Sequence, residues 1–557
     1  MYFNKKLLVL AVASSVALFG CNGDDGKDGK DGADGKNLAA VPKLTRIATV
    51  PLGAEITGIY KTDNGDLFFN VQHPDDTLPA PENNAAVGAW TGVDFDNLDP
   101  RLTGVSVPAS DSPEAKTVQV AAGRYQAIGR AGDTFGGQLP FGLAGIVSAD
   151  GQSEIKQSQD PDFNAFIATR TDGSEGFLFT AFEDRPGAMS RIGLTKQADG
   201  TWGVTSAINV DFSSVKGTMI NCFGTVSPWG TPLTSEENYE AENAANWNNV
   251  NYSSGYPNYA DVKNIQTYLG GTFPNPYNYG YIVEITQPAE TPVPVKHFAL
   301  GRVAHENVVI MPDSKTVYIT DDGTNKGFYK FVSDKANDLS SGTLYAAKLT
   351  QDATKDSSKA GFDIRWIKLG ASNDAEIANW IAAYDGIDES HYVEGQTSYI
   401  TDQEISDWAT KGTGDDRYAF LETVRAAKAK GATVEFRKME GININYNAVA
   451  NGTVPFMYVS MSEVRSGMTD AEGDIQVSEN RCGIVYRLGI QSDYNVSRMD
   501  PAVVGGFYDS KAENKCEVDA IASPDNIVVL NDGRVIIGED TSHHVNNAIW
   551  IYNPQGE

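Results

Sequence analysis

Apolar residues fall along this chain in short runs rich in Val, Ile, Phe and Tyr, each closed by a cluster of Gly, Asn or Asp. In residues 59–71, Ile59-Tyr60-Lys61 and Leu67-Phe68-Phe69-Asn70-Val71 flank a polar stretch containing Asn64-Gly65. Strand, Asn-Gly turn, strand predicts a β-hairpin, because that turn needs positive φ. The design returns at 308–320 around Met311-Pro312-Asp313-Ser314 and at 527–538 around Asn531-Asp532-Gly533. Repeated hairpins along one uninterrupted chain predict an all-β fold, a β-propeller of about six blades spanning residues 38–557.

Helical periodicity marks one insertion, at about 372–431. Thr401-Asp402-Gln403-Glu404 reads as a capping box opening a short helix. Residues 415–430 then place Phe420, Val424 and Ala427 at helical spacing before a Gly431 stop, predicting a second helix that packs over the propeller face.

The amino terminus has a different pattern. Lys5 and Lys6 precede an apolar run from Leu7 to Leu18, ending in Leu18-Phe19-Gly20-Cys21. The run is too short for about 30 Å of hydrocarbon, so residues 1–20 read as a secretory signal closing in a lipoprotein box, with Cys21 lipidated. Gly23, Gly26, Gly29, Gly32 and Gly35 recur at every third position among Asp and Lys. Five proline-free triplets predict a tether over 21–37, holding the globule roughly 20 Å from the lipid, rather than a collagen helix. The expected location is the bacterial cell envelope, outside the cytoplasm.

Charge narrows the chemistry. With 73 acidic and 44 basic residues, the net charge is −29, which argues against nucleic acid as a partner and supplies hard oxygen ligands for calcium. Six histidines, with no HExxH, Gly-x-Ser-x-Gly or Walker pattern, argue against His-built metal sites and serine hydrolase or nucleotide-binding loops. The densest chemistry lies in residues 221–238, where Asn-Cys, Pro-Trp-Gly and Glu-Glu-Asn occur together. A strand through Pro232 and Leu233 is expected to deliver Glu236 and Glu237 to a common point with Cys222. Adjacent carboxylates repel unless a cation neutralises them. On chemistry alone two readings stand, a metal site and a structural cysteine beside a solvated acidic turn.

The string Asn221-Cys222, Ser227-Pro228-Trp229-Gly230-Thr231, Glu236-Glu237-Asn238 closely resembles the signature of the PhoX-type alkaline phosphatases. Further pieces resemble the same family: Gly301-Arg302…His305-Glu306, Tyr318…Asp321-Asp322, Tyr329-Lys330-Phe331-Val332, Ser523-Pro524-Asp525 and Gly538-Glu539-Asp540. Taken singly, His-Glu reads as a buried polar pair and Asp-Asp-Gly as a hairpin turn. Gly431-Ala432-Thr433 and Glu440 also match, but Lys438 stands where the family has Arg, with Arg437 one residue early. Gln72-His73-Pro74 resembles a segment the family carries near its C-terminus, an order that a closed ring tolerates as a circular permutation.

The resemblance implies a phosphomonoesterase acting on small phosphoesters with ferric iron and calcium at the propeller axis. It implies that Cys222, Glu237, Glu306 and Glu440 hold iron, while Glu236, Asp321, Asp322, Asp525, Glu539 and Asp540 fill the remaining metal positions. Arg302, Arg437 or Lys438 would stabilise charge on the transferring phosphoryl group. The departures from the family pattern keep two other readings open, a non-catalytic ligand- or partner-binding surface propeller and a calcium-dependent lactonase-like hydrolase. With Cys21 lipidated, three cysteines remain, and a Cys482–Cys516 disulfide leaving a metal-held Cys222 is expected; two unpaired buried cysteines are the alternative.

Overall fold

The computed structural model describes residues 43–237, 243–253, 258–412 and 414–556. The signal segment, Cys21 and the Gly-x-y tether lie outside these residues.

Six antiparallel blades make up the fold. The first holds Glu55–Lys61, Leu67–Gln72, Ala86–Thr91 and Arg124–Arg130, and the second Pro161–Ala168, Glu175–Phe182, Ala188–Lys196 and Trp202–Asn209. The third holds Asn221–Val226, Pro232–Glu236, Ile282–Thr286 and Val293–His297, and the fourth His305–Ile310, Thr316–Asp321, Phe328–Lys335 and Asp338–Gln351. The fifth holds Met439–Asn443, Phe456–Met461, Ile484–Ile490 and Val496–Val504. In the sixth, Pro524–Val529, Val535–Glu539 and Ala548–Asn553 are completed by Lys43–Thr49, which pairs antiparallel with Ala548–Asn553. Strands from both ends of the described chain thus share one blade, which ties the ring shut and removes a free edge.

The first strand of each blade packs against its neighbours in sequence around the ring, from Glu55–Lys61 through to Pro524–Val529 and back. Blades packed on both faces explain why strands such as Leu67–Gln72, His305–Ile310 and Pro524–Val529 are buried throughout, without polar alternation. The Asn64-Gly65 turn forms as its sequence demands, with Gly65 at φ +79°. Strand Phe362–Asn373 pairs with the outer strands of blades four and five and joins them into one sheet.

Helices gather on loops. Asp402–Lys411 opens at the Thr401/Glu404 capping box. The single helix expected over 415–430 is two, Arg417–Leu421 and Thr423–Ala429, separated at Glu422 (φ −134°, ψ 50°). Glu422 is pinned by Tyr277 Oη at 2.8 Å and Arg425 at 3.2 Å, and these contacts override the local periodicity. A helix the sequence pattern did not signal, Tyr259–Tyr268, sits between the second and third strands of blade three behind an Asn258/Asp261 capping box.

Candidate metal centre

Each blade offers the axis two positions. One is at the start of its innermost strand: Glu55, Asp162, Cys222, Glu306, Glu440 and Asp525. The other immediately follows the adjoining strand: His73, Glu183, Glu237, Asp322, Ser462 and Asp540. All six innermost strands carry a bulge against their partners, for example between His305 and Val308, Met439 and Ile442, and Pro524 and Ile527. One extra residue twists a strand locally and re-aims the side chain beside it. That repeated irregularity turns side chains near the strand entrances toward a shared centre.

Three triads form there, with ligand atoms within 4.8 Å of one another: Asp162–Glu183–Cys222, Cys222–Glu237–Glu306 and Glu306–Glu440–Asp525. Cys222 Sγ lies 2.9 Å from Glu237 Oε2. Lys438 Nζ reaches in to 3.1 Å from Glu440 and 3.7 Å from Asp322, and His73 Nε2 lies 2.8 Å from Glu55. Nine carboxylates (Glu55, Asp162, Glu183, Glu237, Glu306, Asp322, Glu440, Asp525 and Asp540) and one thiol thus face two cationic side chains.

Burial, then mutual repulsion, pushes the carboxyls of Asp162, Glu237, Glu306, Asp525 and Asp540 well above their ordinary range. The same two causes bring Glu440 to about 7. The Cys222 thiol is raised by burial and by Glu183, Glu237 and Glu306. Asp322, unlike Glu237 and Asp540, is lowered, since the Lys438 ammonium and Glu237 outweigh its burial. Asp162 Oδ1, Glu237 Oε1, Asp322 Oδ1 and Asp525 Oδ1 are buried without a hydrogen-bond partner among the described residues. Orphaned acceptors converging from several blades fit cations as the missing partners.

Three expected ligands lie elsewhere. Neighbouring residues on a strand point to opposite faces, so Glu236 and Glu237 do not meet at a common point. Glu236 accepts from Met219 N, Gly280 N, Tyr281 N and Lys296 Nζ. Asp321 accepts from Ala304 N, Gly327 N and Tyr329 Oη. Glu539 accepts from Ala522 N, Ala548 N and Trp550 Nε1 and lies 3.0 Å from His544 Nδ1. In each pair the first acid ties down the backbone just ahead of its own blade's innermost strand, and the second faces the axis.

The basic residues also divide. Arg302 donates to the Tyr279 and Leu421 carbonyls and lies over the Tyr277 ring, stitching the helical insertion to blade three rather than facing the acids. Arg437 is engaged by Glu463 and Thr324, so that of these three expected residues Lys438 is the one that reaches the centre. Trp229 Nε1 donates to Glu284 and so packs the Pro-Trp-Gly turn. Sequence reasoning missed Glu55, Asp162 and Glu183 and assigned His73 no role. The signal was the repeat itself, since Glu183 follows strand Glu175–Phe182 as Glu237 follows strand Pro232–Glu236.

The family model for alkaline phosphatase PhoX matches residues 179–557, more than half of the chain. The chain belongs to the PhoX alkaline phosphatase family. It is therefore a phosphatase by descent, and its β-propeller is the family's architecture. Among solved structures, Pseudomonas fluorescens PhoX in complex with vanadate, a transition state analogue, matches at TM-score 0.50 and 19% identity, over 74% of this chain and 81% of that one. This likeness speaks to the fold. Escherichia coli soluble aldose sugar dehydrogenase follows at TM-score 0.38 and 9% identity, over 92% of this chain and 100% of that one. Chaetomium thermophilum Sqt1 matches at TM-score 0.33 and 7% identity, over 91% and 98%. No curated protein matches the sequence.

Proposed function

We propose that the protein is a metal-dependent phosphomonoesterase that releases inorganic phosphate from phosphoesters outside the cytoplasm. The observation that carries the reading is the axial convergence of orphaned, buried carboxylate oxygens from four blades, within a PhoX-family chain. The Cys222–Glu237–Glu306 triad suits iron, because it pairs a thiolate with carboxylates, and the all-oxygen Glu306–Glu440–Asp525 triad suits calcium. Cations held by these triads would supply positive charge to a bound phosphate and would polarise an oxygen nucleophile.

The chain's own residues then have distinct tasks. Lys438 offers the ammonium nearest the acids and replaces the family's arginine as the donor to a phosphate oxygen. Ser462 donates to Glu440 at 2.8 Å and orients it. Asp322, paired to Lys438, holds that ammonium in place.

Location rests on the amino-terminal pattern, with Cys21 as the lipid anchor. The Cys482–Cys516 disulfide, with Cα atoms 5.9 Å apart, supports an oxidising compartment. Two experiments test the reading. Glu306→Gln and Glu440→Gln should each abolish phosphate release from p-nitrophenyl phosphate while leaving the circular dichroism of the fold intact, and full turnover in both would remove the site from the reaction. Cys21→Ala should leave an uncleaved precursor or a released protein, and unchanged fractionation would remove the anchor.

A further inference from the structure

Beside the axial acids lies a cavity of about 990 Å³. Asp322 and Lys438, both part of the centre, line one side. Helices Asp402–Lys411 and Thr423–Ala429 of the insertion line another, through Asp402, Arg425 and Lys428. A pocket in the range of roughly 300–1,000 Å³ houses a whole small molecule, so this one exceeds what a phosphate group alone requires.

Its charge is opposite in sign to that of the chain. Five basic residues (Lys326, Arg425, Lys428, Arg437 and Lys438) face two acidic ones (Asp322 and Asp402), although acids outnumber bases 73 to 44 overall. Arg425 and Lys428 are three residues apart on one helix and share a face. Asp402 and Glu422 hold the Arg425 guanidinium in position. The Lys428 ammonium is exposed and has no hydrogen bond or ion pair among the described residues.

We propose that this cavity receives the alcohol portion of the substrate, and that Lys428, beside the pre-positioned Arg425, binds a second anionic group on it. The substrate class is then phosphomonoesters whose alcohol carries a further phosphate-like or carboxylate group. This rests on the phosphatase reading of the axial centre.

The test is kcat/KM of the metal-loaded protein for propyl phosphate, 3-carboxypropyl phosphate and 3-phosphonopropyl phosphate, each with one scissile ester. At least one of the two anionic alcohols should be preferred over propyl phosphate by about tenfold, the low end of what close opposite charges contribute, and the better of them identifies the group. Lys428→Gln should bring that ratio toward one and Lys428→Glu below it. The wild-type preference should shrink as salt rises from about 0.05 to about 0.5 M. Equal kcat/KM for all three esters, or a ratio unchanged in both Lys428 variants, overturns the inference while leaving the phosphatase reading intact. No hydrolysis of any ester by the loaded wild type overturns the phosphatase reading, and this inference with it.

Discussion

Glu306 belongs to two of the three axial triads, so replacing it with the near-isosteric Gln separates charge from shape. Two ionised carboxylates within 4.8 Å of each other repel by at least about 3 kcal/mol at an effective dielectric near 20. Proton uptake relieves part of this, leaving about 1–3 kcal/mol that Glu306→Gln removes from the metal-free protein. For a domain of this size, about 1 °C of Tm corresponds to each kcal/mol, so the chelated variant should melt about 1–3 °C above the chelated wild type. In the metal-loaded protein the sign reverses. Losing one ligand weakens binding by at least about 10–100-fold, the loss seen for outer-shell partners, which is about 1.4–2.8 kcal/mol of ligand-linked stability. Scanning calorimetry of both proteins, with chelator and with iron plus calcium, reads the two shifts. A change of the same sign in both conditions would refute the reasoning, because a structural carboxylate loses stability with or without metal.

Other consequences follow from the same geometry. Glu236→Gln leaves the buried Lys296 ammonium, 2.9 Å away in the wild type, without its carboxylate; it should cost about 3–5 kcal/mol in urea unfolding, against a much smaller loss for Glu237→Gln without metal. His297 lies between Glu284 at 2.7 Å and Asp374 at 3.4 Å, and although burial opposes it, these partners raise its pKa to about 9. Its folded value exceeds the unfolded value of about 6.5, so its stabilisation is complete below about pH 6.5 and lost as pH rises through about 9. His297→Gln should flatten the stability-versus-pH curve in that window, and an unchanged curve would rule the ion pairs out as its source. The Cys482–Cys516 disulfide closes a separation of 34 residues, worth about 3–4 kcal/mol in the chain-entropy model, and the Cys482→Ala/Cys516→Ala variant should show a drop of that size in equilibrium unfolding.

The propeller was legible because its signal is local and repeated. Asn64-Gly65 and Asn531-Asp532-Gly533 each specify a turn, and the buried runs beside them specify strands. The axial set was legible only in part. Cys222, Glu237, Glu306, Glu440, Asp525, Asp322 and Asp540 sit in motifs that repeat the family's, whereas Glu55 and Asp162 are single acids in ordinary strand context, and only blade register brings them to the axis. The acid pairs misled for a related reason. Glu236, Asp321 and Glu539 have the same side-chain chemistry as their neighbours, but strand alternation turns them toward backbone N–H groups. Long-range contacts decided the remainder, as at Glu422, where Tyr277 and Arg425 break a helix that the apolar spacing alone would continue.

The central claim is that the axial acids hold catalytic cations, and the most direct measurement is elemental analysis of the purified protein paired with p-nitrophenyl phosphate hydrolysis before and after chelation. The account predicts bound iron and calcium, loss of hydrolysis when they are stripped and its return when both are restored. Full turnover by the stripped protein would contradict it.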